Sequence, residues 1–453
     1  MKSTTCIAAL AAAILGSTVT LSASAVDLAR ETIPLNDGWA AVSTAALPNG
    51  TTGGSAAAAN RVFTVTNRSE FVAAIASSLG SAPRIIQVSG TIDANVDNDN
   101  NALSCEDYYR ADPVSQEMYS LEKFLAAYDP ATWGRKPPVG PQEEARKVSA
   151  AAQSARIRMR IPSNTTIVGL GTDARIIGAW LDIRPGSGNS NAPANVIIRN
   201  LTFEDVADCF PEWAPTDGAT GNWNSLYDAI SVRNATHVWI DHNTFRDRLT
   251  RDDRLPTYFG RLYQVHDGHV DVTNASDYVT VSWNRLLNHD KVMLIGSSDS
   301  ATASDRNRLR VTLHHNFIAG VGQRVPRVRF GQVHVYNNFY KVQHVPNYGY
   351  SWGVGKESQI YAENNFFITD KSVALADLIE RLSGTRITAI GTRRAGEKAG
   401  AFVDVVAAWN ALNDPDLLPD AGWAPVLYGP AGMAEPTNDV PGSVESGAGP
   451  MSW

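Results

Sequence analysis

One hydrophobic pattern recurs along the chain. β-Branched and aromatic residues alternate with polar ones, then an Asn and a large apolar residue close the run. It occurs as NVIIRNLTF ending at Phe203, HVWIDHNTF at Phe245, YVTVSWNRL at Leu286, RVTLHHNF at Phe317, QVHVYNNF at Phe339 and QIYAENNF at Phe366. Such alternation predicts strands. The aligned asparagines are Asn200, Asn243, Asn284, Asn316, Asn338 and Asn365, and their separation falls to 22 residues at its shortest. A unit that small cannot bury its own apolar face, so the units are expected to stack into a solenoid with one continuous core, longer separations marking insertions. Asn at one register suits a tight turn, because it tolerates the left-handed region and bonds local backbone. Its amide can also join a ladder along the stacking axis. An antiparallel sandwich would alternate too, but the irregular spacing and the lack of Asn-Gly hairpin signals argue against it.

Outside the repeat, residues 62–79 predict a strand and a helix, capped by Ser69, with Phe71, Val72, Ile75 and Leu79 on one face. RIIQVSGTI, residues 84–92, reads as a strand. Residues 101–155 hold helical pieces (SLEKFLAAY and EEARKVSAAAQSARIRM) around a Pro-rich KPPVGP, and read as an insertion on the solenoid. TTIVGLG from Thr165 and RIIGAWLDIR from Arg175 restart the coils. After about residue 370 the repeat is expected to fade into a helix-like stretch at 372–382, a loop and a polar tail that wraps back along the coils. The fold class is therefore all-β: a solenoid with helical N-terminal elements and loop insertions, one domain over residues 26–453, with a tail over about 370–453.

Residues 1–25 read as a signal peptide: Lys2, an apolar run at 7–15, and Ala23-Ser24-Ala25 with cleavage before Val26. No later stretch approaches the roughly 18 apolar residues of a membrane span, so the protein is expected to be secreted, with no membrane partner. The net charge is −7, so an anionic partner needs a local basic site, and nucleic acid is disfavoured. Cys6 leaves with the signal. Cys105 and Cys209 remain, with a disulfide and two buried thiols both open; two cysteines so far apart do not make a zinc site.

Three segments carry candidate chemistry, at 224–245, 264–298 and 310–339. Asp267 and Asp271 lie four apart in a predicted strand and so share a face. Asp228 sits about one coil earlier. Three acids converging on an outer face would form a hard-oxygen site suited to calcium; solvated surface acids are the plain alternative. Between Arg306 and Arg329 there are six arginines and no Asp or Glu, and Lys291 follows His289 and Asp290. Arginine grips carboxylates bidentately. Arg306, Arg308 and Arg310 also suit strand-end ion pairs. Trp213, Trp223 and Tyr258 suit packing more than sugar stacking.

These segments resemble the pectate lyase family of polysaccharide lyases. VWIDHNTF is similar to that family's WIDH strand, and HDKVMLIGSSDS and RVPRVRFGQVHVYNNFY to two further signature stretches, over about residues 165–365 with a weaker likeness back to 62. The resemblance implies a right-handed parallel β-helix and calcium-dependent β-elimination of polygalacturonate. It implies Asp228, Asp267 and Asp271 as Ca2+ ligands, Arg324 as the base that removes the C5 proton, and Lys291 and Arg329 as grips on substrate carboxylates. A free arginine is normally protonated; nearby cations and substrate-bound calcium would lower its pKa, so activity is expected to rise into alkaline pH. The sequence departs from relatives that carry an extra acid before the first ligand, since Leu226 and Tyr227 precede Asp228, and residues 246–263 form an insertion between ligands. A pectin lyase would generally lack the three acids. A polygalacturonase would need paired acids for hydrolysis, and a silent glycan-binding helix would be expected to have lost Lys291 or Arg324. A monomer is expected.

Overall fold

The computed structural model describes residues 1, 27–185, 194–345, 348–396, 400–425 and 434–453. The signal segment and its cleavage position lie outside the described residues. No helix among the described residues is long and apolar enough to cross a membrane.

The chain winds repeatedly through three sheets, giving one strand to each per turn: a parallel β-helix. The first sheet has ten strands, from Val62–Val65 and Arg84–Val88 through Thr236–Asp241, Asp277–Ser282, Val311–His314, Gln332–Tyr336 and Gln359–Glu363 to Ile387–Ile390. The second, also of ten, runs from Thr91–Asp93 to Arg393–Ala395 and ends on the antiparallel Ala401–Phe402. The third has eight, from Arg158–Ile161 through Ile230–Arg233, Val270–Thr273, Leu294–Ile295 and Arg327–Val328 to Ile379–Leu382.

The predicted alternation becomes interior columns. Ile198, Ile240, Val281, Leu313, Val335 and Ala362 stand in register on successive coils, all buried. Each large aliphatic burial contributes roughly 1.5–3 kcal/mol, and β-branched residues suit this pleated surface.

The asparagine ladder is present and buried. The amide Nδ2 groups of Asn243, Asn284 and Asn316 donate to the Oδ1 of the Asn on the next coil at 3.1, 3.1 and 2.9 Å, and Asn338 does so to Asn365 at 3.1 Å. The same Oδ1 atoms accept backbone N–H groups, as from Asn284 to Asn316 at 3.0 Å. Two expectations are corrected. Asn200 is not in the ladder: Leu201 holds that register, its N–H donating to Asn243 Oδ1 at 3.1 Å. The ladder asparagines are also not the left-handed residues. The residue before each is, with φ of 59° at Asn200, 51° at His242, 53° at Trp283, 52° at His315, 49° at Asn337 and 50° at Asn364. The rings of His242, Trp283 and His315 stack in sequence at 5.8 and 4.3 Å, contact that offsets the steric cost of φ > 0.

The ends of the solenoid are covered. The helix Arg68–Ala74 is capped by Asn67, whose Oδ1 accepts from Glu70 N at 3.0 Å, not by Ser69, and Val72 is exposed while Phe71 and Ile75 are buried. The stretch at 372–382 is not helical throughout. A 3-10 turn at Ala376–Leu378 leads into the strand Ile379–Leu382, which pairs with Trp352–Gly355, so the repeat continues one coil further. The helix Val405–Asn410 then buries Val405, Val406 and Trp409. The tail does wrap back: Val440, Val444 and Ala448 pack on Phe339, and Met451 N donates to Asn200 Oδ1 at 2.6 Å.

The helical insertion builds a second core. The helix Pro141–Ile157 gives way to strand at Arg158, earlier than the periodicity predicts. With Leu121–Ala127 it packs on Phe210, Trp213, Trp223 and Tyr263. Trp213 and Trp223 are thus packing residues, and Tyr258 stands edge-on to Tyr263. The Cys105–Cys209 disulfide joins this insertion to the solenoid.

Asn316→Leu should leave the N–H of Asn284 without its acceptor, cut the Asn284 amide back to its bond with Ile240 O, and take the Asn316 amide from the carbonyl of Val281, all in a dry interior. A loss of about 2–5 kcal/mol is expected, read as a lower urea midpoint at unchanged slope.

Candidate active site

The candidate residues sit at one corner, where each coil passes from the second sheet to the third. Backbone bonds stack this corner coil on coil. Ala229 N donates to Gly268 O at 3.0 Å, His269 N to Val292 O at 2.9 Å, Val292 N to Gln323 O at 3.2 Å and Val325 N to Ser351 O at 2.8 Å. Asp228, the Asp267/Asp271 pair, Lys291 and Arg324 therefore occupy four successive coils.

The carboxylates converge. One oxygen from each of Asp228, Asp267 and Asp271 lies within 4.8 Å of the others, with Asp228 and Asp271 buried. Asp271 is on the strand Val270–Thr273, but Asp267 precedes it, so the shared face expected of a continuous strand is not the cause. The chain bends at His269, just before that strand, and Gly268 supplies the space. A Cβ on Gly268 would lie 2.5 Å from Asp271 Oδ1 and 3.0 Å from Asp228 Oδ1, so only glycine leaves the carboxylates room. Asp228 accepts from Ser231 Oγ and, at 2.9 Å, from Gly268 N; Asp271 accepts from Leu294 N at 2.9 Å. Burial, then the Asp271 and Asp267 charges, push Asp228 well above the ordinary carboxylate range, and burial with Asp267 pushes Asp271 up to about 7. Three hard oxygens held together against repulsion in a glycine-lined cradle fit a divalent cation.

The cations are arranged differently. Lys291 is buried, with Nζ 3.6 Å from Asp267 Oδ1. Arg324 follows Gln323, the register partner of Lys291, and adopts φ 62°. No carboxylate among the described residues pairs with Arg324, and its Nε has no hydrogen-bond partner. Arg329 stands at the far end of the same coil's strand, where it donates to Asp299 Oδ1 at 2.6 Å and Gly296 O at 2.9 Å. Between them Arg327 is held below its ordinary value by burial and by Arg329. Arg306 pairs with Glu357 at 2.6 Å and Arg310 with Asp277, as strand-end pairs.

Sequence reasoning missed a buried quartet beside the acids. His289 Nδ1 meets Asp247 Oδ2 at 2.6 Å and its Nε2 meets Asp267 O at 2.8 Å. His266 Nδ1 meets Asp252 Oδ1 at 2.9 Å, and Asp252 Oδ2 accepts from Asp290 N at 2.9 Å. Burial alone would discharge both imidazoles; Asp247 and Asp252 reverse that, raising His266 and pushing His289 up to about 10. The four also lie close enough to hold a metal, but their facing atoms already form ion pairs. The quartet ties the 246–263 insertion, through Asp247 and Asp252, to His266 after it, to the strand bearing Lys291 and to the carbonyl of Asp267. The sequence signal was the repeated His-Asp dipeptide at 266–267 and 289–290; the partners, on the insertion, gave none.

A family model described as pectate lyase matches residues 141–414. The chain belongs to the pectate lyase family. It is 45% identical over 410 residues to a pectate lyase of Bacillus subtilis, covering 90% of each chain. It is 36% identical over 365 residues to pectate lyase E of Dickeya dadantii, covering 79% of this chain and 74% of that one. Among solved structures, a pectate lyase bound to a hexasaccharide superposes with a TM-score of 0.84 at 43% identity, covering 94% of this chain and 99% of that one. The pectate lyase of Acidovorax avenae subsp. citrulli gives 0.80 at 33% identity, covering 97% and 99%. The chain is thus a polysaccharide lyase on a family β-helix, and its corner of acids, Lys291 and Arg324 is the lyase's candidate active site.

His289→Ala should leave buried Asp247 without its nearer imidazole partner, with only His266 Nδ1 left at 3.5 Å. A destabilisation of about 3–5 kcal/mol is expected, measured by chemical denaturation in EDTA.

Proposed function

We propose that this chain is a secreted, calcium-dependent pectate lyase that cleaves α-1,4-linked polygalacturonate by β-elimination, leaving 4,5-unsaturated oligogalacturonides. One observation carries the reading: three carboxylates converge around Gly268 beside buried Lys291, with Arg324, which has no carboxylate partner among the described residues, on the next coil. The names of the relatives and the hexasaccharide-bound neighbour support the substrate class. The apolar N-terminal run supports export.

Asp228, Asp267 and Asp271 would hold the calcium ion. Bound there, it supplies positive charge toward a uronate carboxylate and acidifies the adjacent C5–H. Lys291 adds a fixed cation where enolate charge develops, the preorganised stabilisation that lowers such barriers most. Arg329, oriented by Asp299, presents a fork for a second carboxylate. Arg324, free of a carboxylate, takes the C5 proton as the neutral guanidine and becomes guanidinium. The C–H electron pair becomes the C4–C5 double bond, the C4–O bond breaks, and the departing oxygen collects a proton. No water attacks, so no second carboxylate is required for hydrolysis.

Incubation with polygalacturonate and calcium at alkaline pH should raise the ultraviolet absorbance of the unsaturated product, and EDTA should abolish the rise. Arg324→Ala should lower kcat by about 10²–10⁴-fold. New reducing ends without absorbance would mean hydrolysis, and no product with or without calcium would sink the reading. Gly268→Ala, whose Cβ intrudes between Asp228 and Asp271, should weaken calcium binding by at least about tenfold, roughly 1.4 kcal/mol, by isothermal titration calorimetry.

A further inference from the structure

A second polar groove lies one corner away, where the coils pass from the third sheet to the first. Its volume is about 520 Å³. Four arginines line it, Arg306, Arg308, Arg310 and Arg386, against one carboxylate, Glu357.

The groove is periodic because the solenoid is. Val311, Val333, Ile360 and Ile387 pair in register on successive coils and are buried. The residues just before them are Arg310, Gln332, Gln359 and Arg386, which therefore form an outward column. Coils step by about 4.8 Å, so the two arginines stand about 14 Å apart along the axis with two amides between them.

The charges are unevenly compensated. Glu357 is taken by Arg306 at 2.6 Å, and Asp277 beneath the groove by Arg310, which also lies 4.1 Å over Tyr278. Arg308 and Arg386 have no carboxylate partner among the described residues. A further group lacks its bond: Ser358 lines the groove, is 1% exposed, and its Oγ has no hydrogen-bond partner. A buried hydroxyl left open in a cationic groove calls for an oxygen-rich ligand.

We infer that this groove is an accessory binding site for a stretch of acidic polysaccharide, distinct from the catalytic corner. Arg308 and Arg386 take uronate carboxylates, and Gln332 and Ser358 meet hydroxyl and ring oxygens between them, the Gln359 amide already donating to Ala421 O at 3.3 Å. On a protein of net charge −7, a local basic groove is what lets a polyanion settle. The ligand class rests on the pectate lyase reading above. A chain held at both sites gains by effective concentration, a gain that a short oligomer cannot collect.

The test compares wild type with the Arg308→Ser/Arg386→Ser double variant. Both side chains lie outside the catalytic corner, and Arg308→Lys/Arg386→Lys serves as the charge-retaining control. In EDTA, migration of wild type through a gel containing polygalacturonate should be retarded, and retardation should fall at least about threefold in the Ser variant and return in the Lys variant. With calcium, KM on the polymer should rise about three- to tenfold in the Ser variant, with kcat and turnover of trigalacturonate unchanged. Equal retardation and equal polymer KM in wild type and Ser variant would overturn the site. If sulfate at equal charge concentration displaces the polymer completely, the groove is a general anion site and the polysaccharide assignment falls. If wild type cleaves nothing yet is retarded through these arginines, the groove stands and the catalytic reading fails; normal cleavage with equal retardation has the opposite meaning.

Discussion

Every strand in the three sheets must find its backbone partners on the coil before and the coil after. Unpaired peptide groups inside the stack would cost more than side-chain packing returns, so the register between coils is rigid, and with it the position of each corner. The asparagine ladder enforces the same register from the side chains, because the Oδ1 atoms of Asn284, Asn316, Asn338 and Asn365 each accept both an amide and a backbone N–H from the preceding coil. Residues tens of positions apart in sequence are thereby held one coil step apart. The active corner exploits this: Asp228, Asp267 and Asp271, Lys291 and Arg324 are neighbours only because their coils are.

The electrostatics of that corner are divided between two clusters. The three carboxylates repel one another in a buried setting and so favour a cation among them. The adjoining quartet solves the same problem internally, with Asp247 and Asp252 raising both imidazoles above the ordinary histidine value. His269 marks the boundary. It stacks at 3.9 Å on His289, and burial and its two charged neighbours keep it well below the ordinary histidine value, so it adds no third cation. His289 joins the clusters by holding the carbonyl of Asp267.

The insertions thicken the wall beside the site without disturbing the stack. The 101–155 segment brings its own aromatic core, and Tyr227, the residue before Asp228, bonds Ala150 O at 3.0 Å on its longest helix. Leu226, two residues before Asp228, is exposed. Turns between coils tolerate such additions because their ends are already fixed by the strands.

What the sequence determined by itself was whatever repeats or lies close along the chain: the alternating strands, the coil size, the ladder from Asn243 to Asn365 and the helical insertion; its family motifs also named the residues of the candidate corner. What it did not carry was set by contacts between coils. Asn200 looked like a ladder residue, but the register of Phe203 on Phe245 puts Leu201 there. Trp283 has no local preference for a left-handed turn, yet it adopts one between two stacked imidazoles. Residues 379–382 form a strand because Trp352–Gly355 presents an open edge. The pairing of His289 with Asp247, the glycine cradle around the acids and the arginine column from Arg310 to Arg386 depend on which coil lies above which. Only the folded stack sets that order, since hydrogen bonding between coils is non-local and leaves no trace in the spacing of any one segment.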